Sequence, residues 1–201
     1  MSTTEIPVRT IRAELATAEN SAAFGELLTQ TGPSLPHVYD DALDVYDAGL
    51  LRTTRPVTEI EYVWSVYHHD RGRRVLYLER HKEITQTFIP LGNPLIAIMA
   101  RPDARLDNGM PALDEIKAFV IPASAAFNMH FGTWHEIPMP IVPGTNSLLT
   151  SSAAVTHGWA ELDATKEITA GDVEKREVTE RLGVDLRVDV PDDVLRAVGL
   201  A

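Results

Sequence analysis

The chain has 201 residues, of which 44% are apolar and 23% are charged. This length allows one substantial hydrophobic core and is short for two, so we expect a single domain. The net charge of −11 argues against nucleic acid or an anionic membrane as the partner, because both require lysine and arginine patches. The chain contains no cysteine, which excludes disulfides, thiolate metal sites and a cysteine nucleophile.

Several features of the sequence favour a cytoplasmic location. The longest apolar run, residues 94–100, is far shorter than a membrane span. The first five residues lack the basic and apolar regions of a signal peptide, and a cysteine-free chain suits a reducing compartment. We therefore expect a cytoplasmic protein that contacts neither membrane nor nucleic acid.

The N-terminal third predicts few regular elements. Residues 8–13 read as a strand, and a short helix is expected from Thr17, as its N-cap, to Phe24, closed by Gly25. Residues 29–58 are rich in glycine, proline and aspartate, which indicates loops. We expect residues 1–58 to pack as a strand, a helix and loops on the rest of the domain.

From Glu59 onward, the residue pattern is typical of β-strands. Short runs of β-branched and aromatic residues, separated by turn residues, predict a sandwich or small barrel. The predicted strands are residues 61–67, 74–79, 86–89, 95–99, 116–120 and 147–150. Residues 59–160 are therefore expected to form a β-barrel core within the single domain.

The last part of the chain, residues 161–201, predicts a helix, a strand and a helix. Residues 171–181 are charged and helix-prone, and Val184, Leu186, Val188 and Val190 alternate with polar residues as one strand face. Residues 191–193, Pro-Asp-Asp, favour a helix start. A terminal strand that buries one face completes a sheet of its own or of a neighbouring subunit, and we expect it to support a homodimer.

Two short segments carry most of the chemically informative residues. The first is Glu79-Arg80-His81 with Gln86, and the second is Asn128-Met129-His130 with Trp134-His135. Residues two apart on a strand face the same way, so Glu79 and His81 would share a cavity while Arg80 points away. These residues predict a polar, histidine-lined cavity for a small hydroxy or keto acid.

The two segments resemble the two cupin motifs. Glu79 and His81 take the places of two histidines one residue apart, and Gln86 takes the place of the acidic residue that follows them. Residues 120–130, a proline-containing turn followed by His130, resemble the second motif. Together with residues 86–90, 117–120 and 132–135, these segments resemble the ureidoglycolate lyase family, weakly over about 8–149 and strongly over 79–138.

The resemblance implies a fold and an activity. The fold is a mainly β, cupin-like double-stranded β-helix with a few short helices, here with a C-terminal strand and helix extension. The activity is that of a carbon–nitrogen lyase of the amidine-lyase type, which cleaves ureidoglycolate to glyoxylate and urea in allantoin degradation, a part of purine metabolism. The catalytic candidates are His81, His130 and His135, with His130 or His81 as the base, and the substrate-binding candidates are Gln86, Asn128, Trp134 and Glu136.

The cupin register also implies a candidate metal site. Glu79, His81, Gln86 and His130 would converge as ligands for a divalent metal such as zinc, manganese, iron or nickel. The alternative is a cupin that binds substrate without metal, because Gln86 and Glu79 replace the usual ligands. Phe131 and Glu136 also stand where the family has an arginine and a histidine, so a related hydroxy acid is an alternative substrate.

Other functions compete with the lyase. One is a metal-dependent cupin enzyme of another reaction type, such as a dioxygenase, isomerase or hydrolase, and another is a non-catalytic cupin that binds a small acid. Trp134 is either a wall of the ligand site or a core aromatic. We expect His157 in a turn and His68 and His69 in an exposed loop. Nucleotide-binding and serine-hydrolase motifs are absent from the sequence.

Overall fold

The computed structural model describes residues 5–30, 48–54, 59–152 and 166–200. These residues form sixteen strands and two short α-helices, with two 3₁₀ turns at Arg71–Arg73 and Leu113–Glu115. The strands are β1 (Val8–Leu15), β2 (Gly25–Leu28), β3 (Ile60–Tyr67), β4 (Tyr77–His81), β5 (Thr87–Leu91), β6 (Leu95–Ala100), β7 (Leu106–Asp107), β8 (Met110–Pro111), β9 (Lys117–Ile121), β10 (Ala126–Met129), β11 (Trp134–His135), β12 (Met139–Pro140), β13 (Thr145–Ser152), β14 (Ile168–Ala170), β15 (Val173–Glu177) and β16 (Asp185–Asp189). The helices are α1 (Val178–Leu182) and α2 (Asp192–Ala197).

Two curled sheets make up most of the molecule. The large sheet has the order β14-β15-β4-β11-β6-β9-β1-β16, with β12 also paired to β6, and the small sheet has the order β2-β10-β5-β13-β3. A separate hairpin is formed by β7 and β8. This arrangement confirms the mainly β, cupin-like barrel that the sequence predicts.

The central strand β6 separates two hydrophobic clusters. Ile96 and Ile98 belong to a cluster on one face of the large sheet. Ala97 and Met99 belong to a second cluster, which also holds Phe88 from the small sheet and therefore lies between the two sheets. Every residue of β6 is buried, which explains why it reads as a continuous apolar run rather than an alternating one.

The C-terminal extension covers the first cluster and completes the large sheet. Leu186 and Val188 of β16 are buried in that cluster. Strand β16 pairs in parallel with β1, and the backbone N–H of Val75 donates to the carbonyl of Leu186 at 2.9 Å. The predicted terminal strand is thus confirmed and belongs to the chain's own sheet, and α2 confirms the predicted last helix.

Of two predicted helical segments, the first is wrong and the second, residues 171–181, is helical only from Val178 onward. Residues 18–24 form turns, in which Thr17 and Asn20 exchange backbone-to-side-chain hydrogen bonds. The chain then enters β2 at Gly25, where a Cβ would lie 2.4 Å from the Asn128 carbonyl oxygen, so the glycine allows close strand approach. Residues 173–177 form β15 instead of a helix, because pairing with β4 overrides their local preference.

Of the remaining sequence predictions, some are confirmed and others concern residues that the structure does not describe. All six predicted strands overlap observed strands, although the strand predicted at residues 74–79 begins at Tyr77. His68 and His69 are exposed in the segment between β3 and β4, as expected. His157 and most of the predicted loop region 29–58 lie outside the described residues.

Candidate metal centre and active site

The site is built on a row of residues across four strands of the large sheet. In this row Lys175 of β15 pairs with Glu79 of β4, Glu79 pairs with His135 of β11, and His135 pairs with Met99 of β6. His81 follows two positions after Glu79 and so faces the same side. Arg80 faces the other side, with its guanidinium 4.4 Å from the ring centre of Trp134. The predicted shared face of Glu79 and His81 is confirmed.

Three of these side chains form a candidate metal centre. One ligand atom from each of Glu79, His81 and His135 lies within 4.8 Å of the others. The Nε2 atom of His135 is 3.6 Å from a carboxyl oxygen of Glu79, and the two imidazole centroids are 5.3 Å apart. All three residues are buried, with exposed fractions of 5% or less.

The orientation of His135 leaves a lone pair for a ligand. Its Nδ1 lies 2.9 Å from the carbonyl oxygen of Thr133. A carbonyl oxygen accepts hydrogen bonds only, so Nδ1 carries the proton and Nε2 holds the lone pair. Within the described residues, neither this Nε2 nor either ring nitrogen of His81 has a hydrogen-bond partner. Buried nitrogens of this kind need a partner, and a divalent metal fits them.

Burial sets the protonation of all three groups. It lowers the pKa of His81 to about 4 and that of His135 to about 3, where the neighbouring His81 adds to the effect. Burial also raises the pKa of Glu79 to about 8, with help from Glu136 and against the opposing charge of Lys175. At neutral pH both imidazoles are therefore neutral, whereas Glu79 keeps its proton until a cation displaces it.

A cavity of about 150 Å³ adjoins this cluster. Its polar lining comes from Arg71, Tyr77, Glu79, His135, Glu136 and Lys175, and two isoleucines, Ile137 and Ile168, supply apolar wall. A space of this size can hold a small molecule. The mixture of two cations and two carboxyls suits a small polar acid.

Glu136 lies in the cavity wall but is strongly engaged by the backbone. One carboxyl oxygen accepts hydrogen bonds from the N–H groups of Leu76 and Tyr77 at 2.8 and 2.9 Å. The other accepts from the N–H of Ile137 at 3.1 Å and lies 3.6 Å from the Arg71 guanidinium. Burial raises the pKa of Glu136 although these donors favour its charged form. It therefore fixes the start of β4 as well as lining the cavity.

The other predicted site residues lie away from this cavity. His130 is half-buried beyond the end of β10 and is outside the cluster of three ligands among the described residues. The side chain of Asn128 bonds to Thr87 and to the carbonyl of Leu50, and Gln86 is buried at the start of β5 in the small sheet. Trp134 is fully buried in the first hydrophobic cluster. The roles predicted for these four residues stay predictions.

The candidate metal ligands that the structure brings together differ from the predicted ligands. Glu79 and His81 are common to both, but His135 takes the position expected for His130. Strand β11 lies between β4 and β6, so His135 is directly opposite Glu79. His130 instead precedes the turn that leads into β11, and its backbone N–H donates to the carbonyl of Phe24.

Sequence reasoning missed the contribution of the C-terminal extension to this site. Lys175 and Ile168 line the cavity, and a carboxyl oxygen of Asp172 lies 3.8 Å from Nδ1 of His81. These residues belong to no recognised motif. No apolar alternation marks β15 in the sequence, because Val173 is its only apolar residue.

The sequence of the chain matches one known protein family. Residues 8–150, more than half of the chain, match the family model described as Ureidoglycolate lyase. No curated protein matches the chain. In the described part of the chain, no helix has the length and apolar character needed to span a bilayer. The match covers Glu79, His81 and His135, and the chain therefore belongs to the ureidoglycolate lyase family.

Proposed function

We propose that the protein is a ureidoglycolate lyase-like enzyme that cleaves the carbon–nitrogen bond of ureidoglycolate to give glyoxylate and urea. The observation that carries this proposal is the buried cluster of Glu79, His81 and His135 beside a small cavity that two cations and two carboxyls line, in a chain of this family. Cavity volume and charge both favour a small hydroxy acid over a larger substrate.

The reaction needs one proton removed and one proton delivered. A base takes the hydroxyl proton of the substrate, the oxygen forms the aldehyde carbonyl, and the carbon–nitrogen bond breaks as the urea nitrogen gains a proton. Burial keeps both imidazoles neutral at neutral pH but also makes them weak bases, so His81, whose pKa of about 4 is the higher of the two, is the better candidate to accept the hydroxyl proton. The carboxyl of Glu79, with a pKa of about 8, can hold and deliver the proton that the departing nitrogen requires.

The same residues fit a divalent metal. Two imidazole nitrogens and one carboxylate are a donor set that zinc and other borderline divalent metals accept, and Glu79, His81 and His135 would hold the ion. When bound, the metal would supply Lewis-acid polarisation of a substrate oxygen. Thr133 keeps its role in either case, because its carbonyl fixes the His135 tautomer.

A second candidate function is a metal-dependent cupin enzyme of another reaction type. The observation that favours it is the two-histidine, one-carboxylate set itself, which is also the ligand set of non-haem iron oxygenases. Oxygen consumption by the iron-loaded protein with small keto or hydroxy acids would support this function over the lyase.

The decisive experiment is turnover of racemic ureidoglycolate by the purified protein, before and after chelation, with separate assays for glyoxylate, urea and ammonia. Glyoxylate and urea in equal amounts would support the lyase. Ammonia in place of urea would indicate hydrolysis of the ureido group, and absence of turnover under metal-loaded conditions would refute the proposed substrate. The homodimer and the cytoplasmic location stay predictions.

A further inference from the structure

The C-terminal extension contributes one wall of the cavity. Strand β15 pairs antiparallel with β4 along five residues, from Val173 opposite His81 to Glu177 opposite Tyr77. This pairing brings Lys175 and Ile168 to the cavity, although both lie beyond the segment 8–150 that matches the family. The site in this chain is therefore assembled from the family-matched region and the extension together.

Lys175 has an unusual environment for a lysine. Its side chain is 8% exposed, and its ammonium group lies 4.0 Å from the ring centre of Tyr77. Removing an ammonium from water is costly, so lysines are rarely buried unless nearby groups compensate the charge. The aromatic face of Tyr77 stabilises a cation at this position.

The extension is fixed firmly enough to position this cation. Arg80 of β4 pairs with Glu174 at 2.7 Å, and Lys82 lies 3.2 Å from the same carboxylate. Just before β15, a carboxyl oxygen of Asp172 accepts hydrogen bonds from the N–H groups of Lys82 and Glu83. These contacts of Asp172 and Glu174, which precede Lys175, thus hold β15 in register with β4.

We propose that Lys175 is a positioning residue that binds the carboxylate of the substrate acid, and that the extension thereby completes the site. Lys175 and Glu79 are directly opposite in the strand pair, where Cβ atoms are about 4.5–5.5 Å apart. Lys175, Glu79 and His135 line the same cavity, so a carboxylate bound at Lys175 shares that cavity with the ligand cluster. This inference rests on the proposed function for the identity of the substrate, but its binding step is independent of turnover.

Arg71 is the other cation in the cavity wall, and it is less suited to this role. Its guanidinium lies 3.6 Å from Glu136, whose carboxylate is already held by three backbone N–H groups. A third of the Arg71 side chain is exposed to solvent, which screens its charge. Lys175 is more buried and faces the ligand cluster directly, so its attraction for an anion is screened less.

The test is direct binding of glyoxylate, the proposed carboxylate product, measured by calorimetry on the full chain. We expect Lys175→Met, which keeps the apolar stem over Tyr77, to weaken binding at least tenfold, and Lys175→Arg to retain most of it. Lys117→Met is the matched control, because Lys117 is exposed and bonds only to the carbonyl of Asp114 among the contacts of the described residues. It should bind glyoxylate as the wild-type protein does.

The corresponding kinetic test compares the effects of the substitution on KM and on kcat for ureidoglycolate. A positioning role predicts that Lys175→Met raises KM at least tenfold, with a smaller change in kcat, whereas a merely structural role would lower the melting temperature and leave KM unchanged. Lys175→Gln provides a second neutral variant if the methionine variant does not fold. Unchanged glyoxylate binding in a folded neutral variant, or no glyoxylate binding by the wild-type protein, would overturn the inference.

The outcomes separate this inference from the proposed function. Glyoxylate binding that depends on Lys175, in a protein that does not turn over ureidoglycolate, would support the carboxylate site and refute the substrate. Turnover of ureidoglycolate, together with glyoxylate binding that does not depend on Lys175, would support the lyase and overturn the carboxylate site.

Discussion

Strands β4 and β11 present two faces that are buried to the same degree but differ in chemistry. One face carries Glu79, His81 and His135. Among the described residues, the Nε2 atoms of the two histidines have no hydrogen-bond partner. The other carries Leu78 and Trp134, packed in the first hydrophobic cluster. Burial alone therefore does not distinguish the site. The distinguishing features are the polar lone pairs left without partners and the pKa shifts toward the neutral forms.

The largest expected effect comes from substituting neighbours on opposite faces of β4. We expect His81→Ala to lower kcat/KM by about 10³-fold, the scale of a lost general base or metal ligand. Arg80→Met should stay within a few-fold of wild type and instead lose about 1 kcal/mol of stability through its contacts with Trp134 and Glu174. Steady-state kinetics and thermal unfolding check both. Equal losses of activity in the two variants would contradict the division between the faces.

The next prediction concerns pH and metal binding on the polar face. Glu79 must lose its proton to bind a cation, and its pKa is raised to about 8, whereas both histidines are deprotonated well below neutral pH. Affinity for zinc should therefore rise about tenfold per pH unit from pH 6 to 8 and then level off. Calorimetric titration across this range is the measurement.

The matched variant for this pH prediction is Glu79→Gln, which has no proton to lose. Its zinc affinity should be weaker than that of the wild-type protein and nearly independent of pH over the same range. A wild-type affinity that is also independent of pH would show that Glu79 is not a ligand.

The smallest effect on activity is expected on the apolar face. Trp134→Phe should leave KM for ureidoglycolate within about twofold, because the indole is fully buried in the core and does not line the described cavity. The cost should appear as about 1–3 kcal/mol of lost stability from the smaller side chain. A large rise in KM without loss of stability would instead place Trp134 at the substrate.

Much of the fold was readable from the sequence because hydrophobic periodicity reflects burial. The alternation of Leu186 and Val188 predicts β16, and the β-branched and apolar residues of β6 predict a strand. Two-residue strands such as β11 have no periodicity to detect, so nothing local shows that His135 lies opposite Glu79. Strand β15 was read as a helix because its charged residues gain their strand conformation only from pairing with β4.

The candidate site was partly predictable for the same reason. The pair of Glu79 and His81 follows from strand geometry within five residues, so the sequence sufficed. The third ligand and Lys175 depend on which strands become neighbours in the sheet. His130 was favoured by its place in a motif, but the turn at residues 130–133 directs the chain so that His135 joins the cluster instead.

The most direct test of the centre is the kcat/KM of His135→Ala and His130→Ala measured side by side on ureidoglycolate, with zinc supplied and folding verified by thermal unfolding. A centre formed by Glu79, His81 and His135 predicts a loss of about 10³-fold for His135→Ala and at most about tenfold for His130→Ala. The opposite order, with His130 essential and His135 dispensable, would contradict it.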